Sequence, residues 1–216
     1  MKIDFHVHTC YSYDALITPA DLARKSTRLG VIPTVIDHNT TTSHEAMRSL
    51  GIPFIPGEEV ETDKGDLAGL YISDEIPKGT PFLEAMDRIR EQGGIVYLPH
   101  MYDRRKEALD EKLASKADIV EVFNARCLFN ELNMKAKAFA ERKKLLGAVG
   151  SDSHFLLEFG NTYTELSDFD LENPKGLLKA LKKARHVTKK APIFVRGTTT
   201  LVSIGKKLLG VGTKHI

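Results

Sequence analysis

Tryptophan is absent from the 216 residues, glutamine occurs once (Gln92) and cysteine twice (Cys10 and Cys127). Two cysteines cannot make a disulfide scaffold, so the fold must be held by a buried core. No apolar run approaches the roughly 18 residues that cross a bilayer, and the N-terminus lacks a charged-then-apolar leader pattern. These features point to a cytoplasmic protein with no membrane contact. An excess of one charge is missing as well: a formal net charge of +2 demands no polyanionic partner. Low-complexity tracts and strong internal repeats are lacking too. What is present is a 42% hydrophobic fraction in a length that suits a single domain, 1–216, ending in a helical, basic tail from about 174.

Short apolar runs alternate with helical patterns along the chain. Strands are expected at Ile3–Val7, Ile32–Ile36, Phe54–Glu59, Ile95–Leu98, Ile119–Phe123 and Leu145–Val149, with an extra pair at Leu67–Ile72 and Thr162–Leu166. Helices are expected at Pro19–Leu29, Ser43–Leu50, Phe82–Glu91, Glu107–Ala114, Asn130–Lys143 and Pro174–Ala184. The tail from Thr198 to Gly210 reads as a last helix across one end. Strand and helix in regular alternation imply parallel strands, in a barrel or a doubly wound sheet.

The chemistry begins at Asp4-Phe5-His6-Val7-His8. Residues two apart on a strand share a face, so His6 and His8 present two imidazoles to one point. Asp37-His38 ends the second apolar run, Glu58-Glu59 the third, His100 the fourth, Asn124 the fifth, and Asp152 with His154 the sixth. In a parallel barrel the carboxyl ends of all strands share one face, where active sites are built. Mixed imidazole and carboxylate donors suit Mn, Fe or Zn better than Ca or Mg.

The segments His6-Val7-His8-Thr9, Ser12–Ala15, Ile36-Asp37-His38-Asn39, Gly57-Glu58-Glu59-Val60, Leu98-Pro99-His100 and Gly150-Ser151-Asp152-Ser153-His154 resemble, in order and spacing, the motifs of the PHP (polymerase and histidinol phosphatase) superfamily. The resemblance runs from Met1 to about His154. It implies an α/β fold, a distorted seven-stranded (β/α)7 TIM-like barrel, holding two or three divalent metals (Zn, Mn or Fe) that hydrolyse phosphate esters. By the same resemblance His6, His8, Glu59 and Asp152 would hold one ion. Asp14, His38 and His154 would hold a second, and Glu59 with His100 a third, with Glu59 bridging. Many members carry histidine where this chain has Asn124, and proline follows the fourth-strand histidine where this chain has Met101. Asp14 sits one residue later than the commonest spacing, so a local bulge is expected to re-aim it.

Glu58 is expected to be structural, and Asp37 to orient His38 or a neighbour. His44, His186 and His215 follow no strand end and read as surface histidines, and both cysteines as inert thiols. Phosphate calls for guanidinium forks, for which Arg126, Arg104, Arg105 and Arg196 are the candidates; Arg126 joins Glu59, Asp152 and His154 as an expected catalytic residue. The basic run Lys179–Lys190 reads as a solvated helix face, since no aromatic residues interleave with it. The expected activity is hydrolysis of a small phosphomonoester. An oligonucleotide-trimming nuclease is less favoured, and a non-catalytic barrel in a larger assembly less favoured again.

Overall fold

Thr18 starts the first helix as the sequence anticipates: its hydroxyl accepts a hydrogen bond from the Asp21 amide, and Pro19 fills the first turn. Gly30, at φ 62°, stops it in the left-handed region. The structure is a computed structural model describing residues 1–103 and 109–210. In chain order its elements are β1 (Lys2–Val7), α1 (Pro19–Leu29), β2 (Ile32–His38), α2 (Ser43–Ser49), β3 (Ile55–Thr62), β4 (Gly65–Leu70), α3 (Phe82–Glu91), β5 (Ile95–Leu98) and α4 (Glu111–Ala114). They continue with β6 (Ile119–Asn124), α5 (Asn130–Lys143), β7 (Leu146–Gly150), β8 (Tyr163–Glu165), α6 (Pro174–Leu181), β9 (Arg185–Val187), a short 3-10 turn at Ile193–Val195 and α7 (Thr198–Leu208).

All nine strands join one sheet in the order β7-β6-β5-β4-β3-β2-β1-β8-β9. β1, β2 and β3 run parallel to one another, as do β5, β6 and β7. β4 is antiparallel between β3 and β5, and β8 and β9 extend the β1 edge antiparallel. The sheet curls until the segment after β7 meets β1, where the His8 amide donates to the Ser153 carbonyl at 2.9 Å and the Ser151 amide donates to Asp4 at 2.9 Å. The result is a nearly closed, barrel-like mixed α/β sheet in place of seven parallel repeats. The physical reason lies at Asp63-Lys64, a two-residue turn that sends β4 straight back along β3. The two extra strands form as β4 and β8, but each pairs with other neighbours and not with the other.

Apolar residues near the strand amino ends (Ile3, Ile55, Ile95 and Ile119) share a buried cluster with Leu177 and Leu181, so α6 plugs that end of the barrel. A second cluster joins Val96, Leu98 and Val120 to Phe82, Met86 and Ile89 of α3 and Phe139 of α5. Both clusters leave the carboxyl ends of the parallel strands to polar groups. α6 ends at Leu181 rather than Ala184, because Arg185–Val187 are recruited as β9. The basic run is therefore not one helix face; Arg185 sits on a strand and pairs with Glu165 at 2.7 Å. Of the expected Glu107–Ala114 helix the described part begins at Glu111. Arg104, Arg105 and His215 lie outside the described residues.

Candidate metal centre

β1 delivers His6 and His8 to the carboxyl face, and every side chain named above as a ligand is buried there or nearly so. His6 Nε2 and His8 Nε2 lie 3.0 Å apart. Glu59 Oε2 is 3.4 Å from each, and Asp152 Oδ1 is 3.6 Å and 3.5 Å away. A tetrahedron of donors on bonds of about 2.0–2.1 Å has edges of about 3.3 Å. The His6, His8 and Glu59 donors therefore have the mutual spacing of a metal's coordination shell, and Asp152 Oδ1 stands at a like distance from both imidazoles. Each imidazole has its other nitrogen committed, His6 Nδ1 facing Glu121 at 3.0 Å and His8 Nδ1 facing the Ser12 hydroxyl at 3.3 Å. Glu59 Oε2 is buried yet accepts no hydrogen bond. The donor set fits a divalent cation.

Beside this group, His154 Nε2 is 3.1 Å from Asp14 Oδ2 and His38 Nε2 is 3.6 Å from Asp14 Oδ1. His154 turns Nδ1 to the Asp152 carbonyl at 2.8 Å, which leaves Nε2 for the cluster. Glu59 Oε2 also faces His38 Nδ1 at 3.2 Å, and Glu59 Oε1 faces His100 Nε2 at 2.9 Å. One carboxylate thus touches four imidazoles. Burial disfavours its charge, but the imidazoles of His6 and His38 prevail and hold it well below the usual carboxylate range. Asp14 is likewise held low: burial opposes its charge, and His154 and His38 outweigh burial. Two of the expected ligands, His100 (φ 26°) and Asp152 (φ 55°), adopt left-handed backbone that non-glycine residues avoid, strain of the kind that collects at functional sites.

Asp37 holds the loop rather than the cluster: it accepts from the Thr9 amide at 2.6 Å, the Thr9 hydroxyl at 2.7 Å and the Ser12 hydroxyl at 2.7 Å, and Ser12 in turn meets His8. Asp14 is aimed by the turn that the Ser12 amide closes on the Thr9 carbonyl, not by a β-bulge at its own position. The irregular register in β1 lies earlier, between Asp4 and Val7. Glu58 accepts from the Ile76 amide at 2.9 Å, and burial pushes its pKa up to about 8, so it is largely protonated at neutral pH. His44 is not at the surface: it is buried, with Nε2 2.9 Å from the Gly57 carbonyl. His186 is exposed, and both cysteines are free.

Two residues absent from the sequence reading shape the site. Glu121, buried on β6, holds His6 Nδ1 and accepts from the His100 amide at 2.8 Å and from Asn124 Nδ2 at 2.9 Å. Glu158 accepts from the His154 amide at 3.0 Å and is clamped by Arg126, whose Nε lies 2.7 Å away. Arg126 is buried in this pair and gives a further hydrogen bond to the Val195 carbonyl at 3.0 Å. A cavity of about 1010 Å³ opens over the cluster, lined by Tyr13, Asp14, His38, His100 and His154 together with Arg126, Arg196 and Thr199.

α7 is latched to the loop between His8 and Asp14 by one buried cation, Lys206 Nζ, which donates to the Cys10 and Ser12 carbonyls at 2.7 Å each. Lys206→Met strips both carbonyls of their partner, at about 1–3 kcal/mol. The expected result is a melting temperature lowered by several degrees, with proteolysis beginning in α7. Melting and limited digestion at wild-type level would show that the latch carries no stability.

Residues 130–186 match the family described as PHP-associated. An uncharacterized protein of Methanocaldococcus jannaschii is 38% identical over 185 residues, which cover 82% of this chain and 75% of that protein. Among solved structures, a two-domain Bacteroides vulgatus protein containing a predicted PHP-like metal-dependent phosphoesterase superposes with TM-score 0.69 at 21% identity, covering 86% of this chain and 64% of the other. The chain belongs to the PHP superfamily. A Bifidobacterium adolescentis protein proposed as a metal-dependent phosphoesterase gives TM-score 0.59 at 18% identity, over 70% of this chain and 87% of that one. At such identities these two likenesses establish the PHP fold alone. The Bacteroides protein is also longer: this PHP chain spans just under two thirds of it. No helix among the described residues is long and apolar enough to cross a membrane.

Proposed function

We propose that the protein is a metal-dependent phosphoesterase with a bi- or trinuclear centre, acting on a small phosphomonoester. The observation that carries this reading is the convergence of His6, His8, Glu59 and Asp152 donors at 3.0–3.6 Å beneath an open cavity. When bound there, paired Zn, Mn or Fe cations supply Lewis acidity and lower the pKa of water from about 16 toward 7.

The chain's own residues supply the rest. Glu59 ties the neighbouring donor groups together, and Asp152 faces both β1 imidazoles. Asp14, His38 and His154 form the wall nearest the cavity, where a phosphoryl group would sit. Arg196, half-buried and lining the same cavity, offers a guanidinium for phosphoryl oxygens. Arg126 is committed to Glu158 and acts on the site by positioning the His154 loop.

The remaining rim favours a small substrate. Glu61, Asp63 and Asp110 line the same cavity with the cation Lys64 among them, and such a mainly acidic wall repels a chain of phosphates rather than tracking it. Protein reconstituted with Mn, Zn or Fe is to be assayed on phosphomonoesters, phosphodiesters and short oligonucleotides. Phosphate release from monoesters is the expected result. Cleavage of oligonucleotides without release from monoesters would replace this reading by the nuclease. Absence of both metal uptake and turnover would favour the non-catalytic subunit.

A further inference from the structure

The third cation position is the incomplete one. Where many superfamily members place histidine on β6, Asn124 stands, and its side chain is fully committed. Its Nδ2 donates to Glu121 at 2.9 Å and to Asp152 at 3.1 Å, and its Oδ1 accepts from the Arg126 and Cys127 amides at 2.9 Å and 3.0 Å. β6 therefore presents no donor to the Glu59–His100 pair. The pair is nonetheless built as if for a cation: His100 is held at φ 26° with its Nε2 at 2.9 Å from Glu59 Oε1, and both residues are buried.

The missing donor comes from the opposite direction. In the β3–β4 register Glu59 faces Ala68, and Asp66 lies two residues before Ala68. Asp66 is thus on the same face as Glu59 and diagonal to it, a spacing that longer side chains bridge. Its carboxylate, the Glu59 carboxylate and the His100 imidazole each offer an atom, all within 4.8 Å of one another. The antiparallel strand that interrupts the parallel barrel is the strand that brings this carboxylate to the carboxyl face.

We propose that Asp66 is a metal ligand, completing with Glu59 and His100 a third divalent-cation site that β6 does not supply. The site has one imidazole and two carboxylates, a harder donor set than a two-imidazole site, so it suits Mn²⁺ better than the imidazole-rich positions do. Asp66 is half-buried at the cavity edge, so this ion is the most exchangeable of the cluster. The inference rests on reading the buried cluster as a metal centre.

The test measures bound metal rather than turnover. Metal-stripped full-length protein and Asp66→Asn are dialysed against Mn²⁺, and bound metal per chain is counted by elemental analysis. The expected result is a loss of about one equivalent in Asp66→Asn, with the remaining ions and the far-ultraviolet circular dichroism unchanged. Electron paramagnetic resonance of the Mn-loaded proteins provides a second readout, since removing a neighbouring ion alters the spin coupling of those left. Equal metal content and equal spectra in the two proteins would overturn the assignment of Asp66 while leaving the phosphoesterase reading intact. A wild-type chain that binds no Mn²⁺, Zn²⁺ or Fe²⁺ would overturn both.

Discussion

Glu59→Ala is expected to lose metal from two positions at once and to lower turnover on any phosphomonoester substrate by at least about 100-fold. That floor follows from the 10–100-fold cost of removing even an outer partner of a metal ligand, which a bridging ligand must exceed. The geometry explains the breadth of the effect. Oε2 lies within 3.4 Å of His6, His8 and His38 nitrogens, and Oε1 lies 2.9 Å from His100. Alanine removes the one group that all four imidazoles share. Elemental analysis and steady-state kinetics on the same preparation check the expectation, with His186→Ala as the control. His186 is exposed on β9, where its imidazole meets the Gly147 carbonyl at 3.2 Å, so its variant should match wild type in both measurements. Wild-type metal content and turnover in Glu59→Ala would remove the bridging role.

The convergence of these donors was legible wherever one of them ends a parallel strand. β1, β2, β3, β5, β6 and β7 announce themselves as apolar runs, and their carboxyl ends collect His6, His8, His38, Glu59, His100 and Asp152. That rule also explains what it missed. In an antiparallel strand the amino end, not the carboxyl end, lies on the shared face, so Asp66 at the start of β4 escaped it. The orientation of β4 is signalled by its two-residue turn, a weaker mark than hydrophobic period. Glu121 carries a different signal, a carboxylate between Val120 and Val122 within an apolar run. Such a group must find a partner when buried, and it finds His6 and the His100 amide. β9 was illegible for a tertiary reason: Arg185-His186-Val187 has no strand pattern of its own and is ordered by pairing with β8. His44 read as surface because helical position alone does not reveal that its imidazole turns inward to the Gly57 carbonyl.

Arg126→Met separates a structural arginine from a substrate-binding one. The guanidinium is buried with Glu158, and removing it leaves a buried carboxylate whose other partners are the His154 and Phe155 amides, each at 3.0 Å. Breaking a buried pair from one side costs about 3–5 kcal/mol, and the two amides place this case at the low end. At about 2–4 °C per kcal/mol for a chain of this size, the melting temperature should fall by roughly 6–12 °C. Arg126→Met combined with Glu158→Gln removes both charges while the glutamine oxygen can still accept from the His154 and Phe155 amides, so it should recover part of the loss even though the cavity is no better supplied with positive charge. The pair also fixes the amides that begin the His154 loop, so the single variant should weaken metal retention alongside stability. An arginine whose work was to hold phosphate would behave in the opposite way, with melting unchanged and KM raised in both variants. Thermal melts of the single and double variants, set beside their KM values, decide between the two roles.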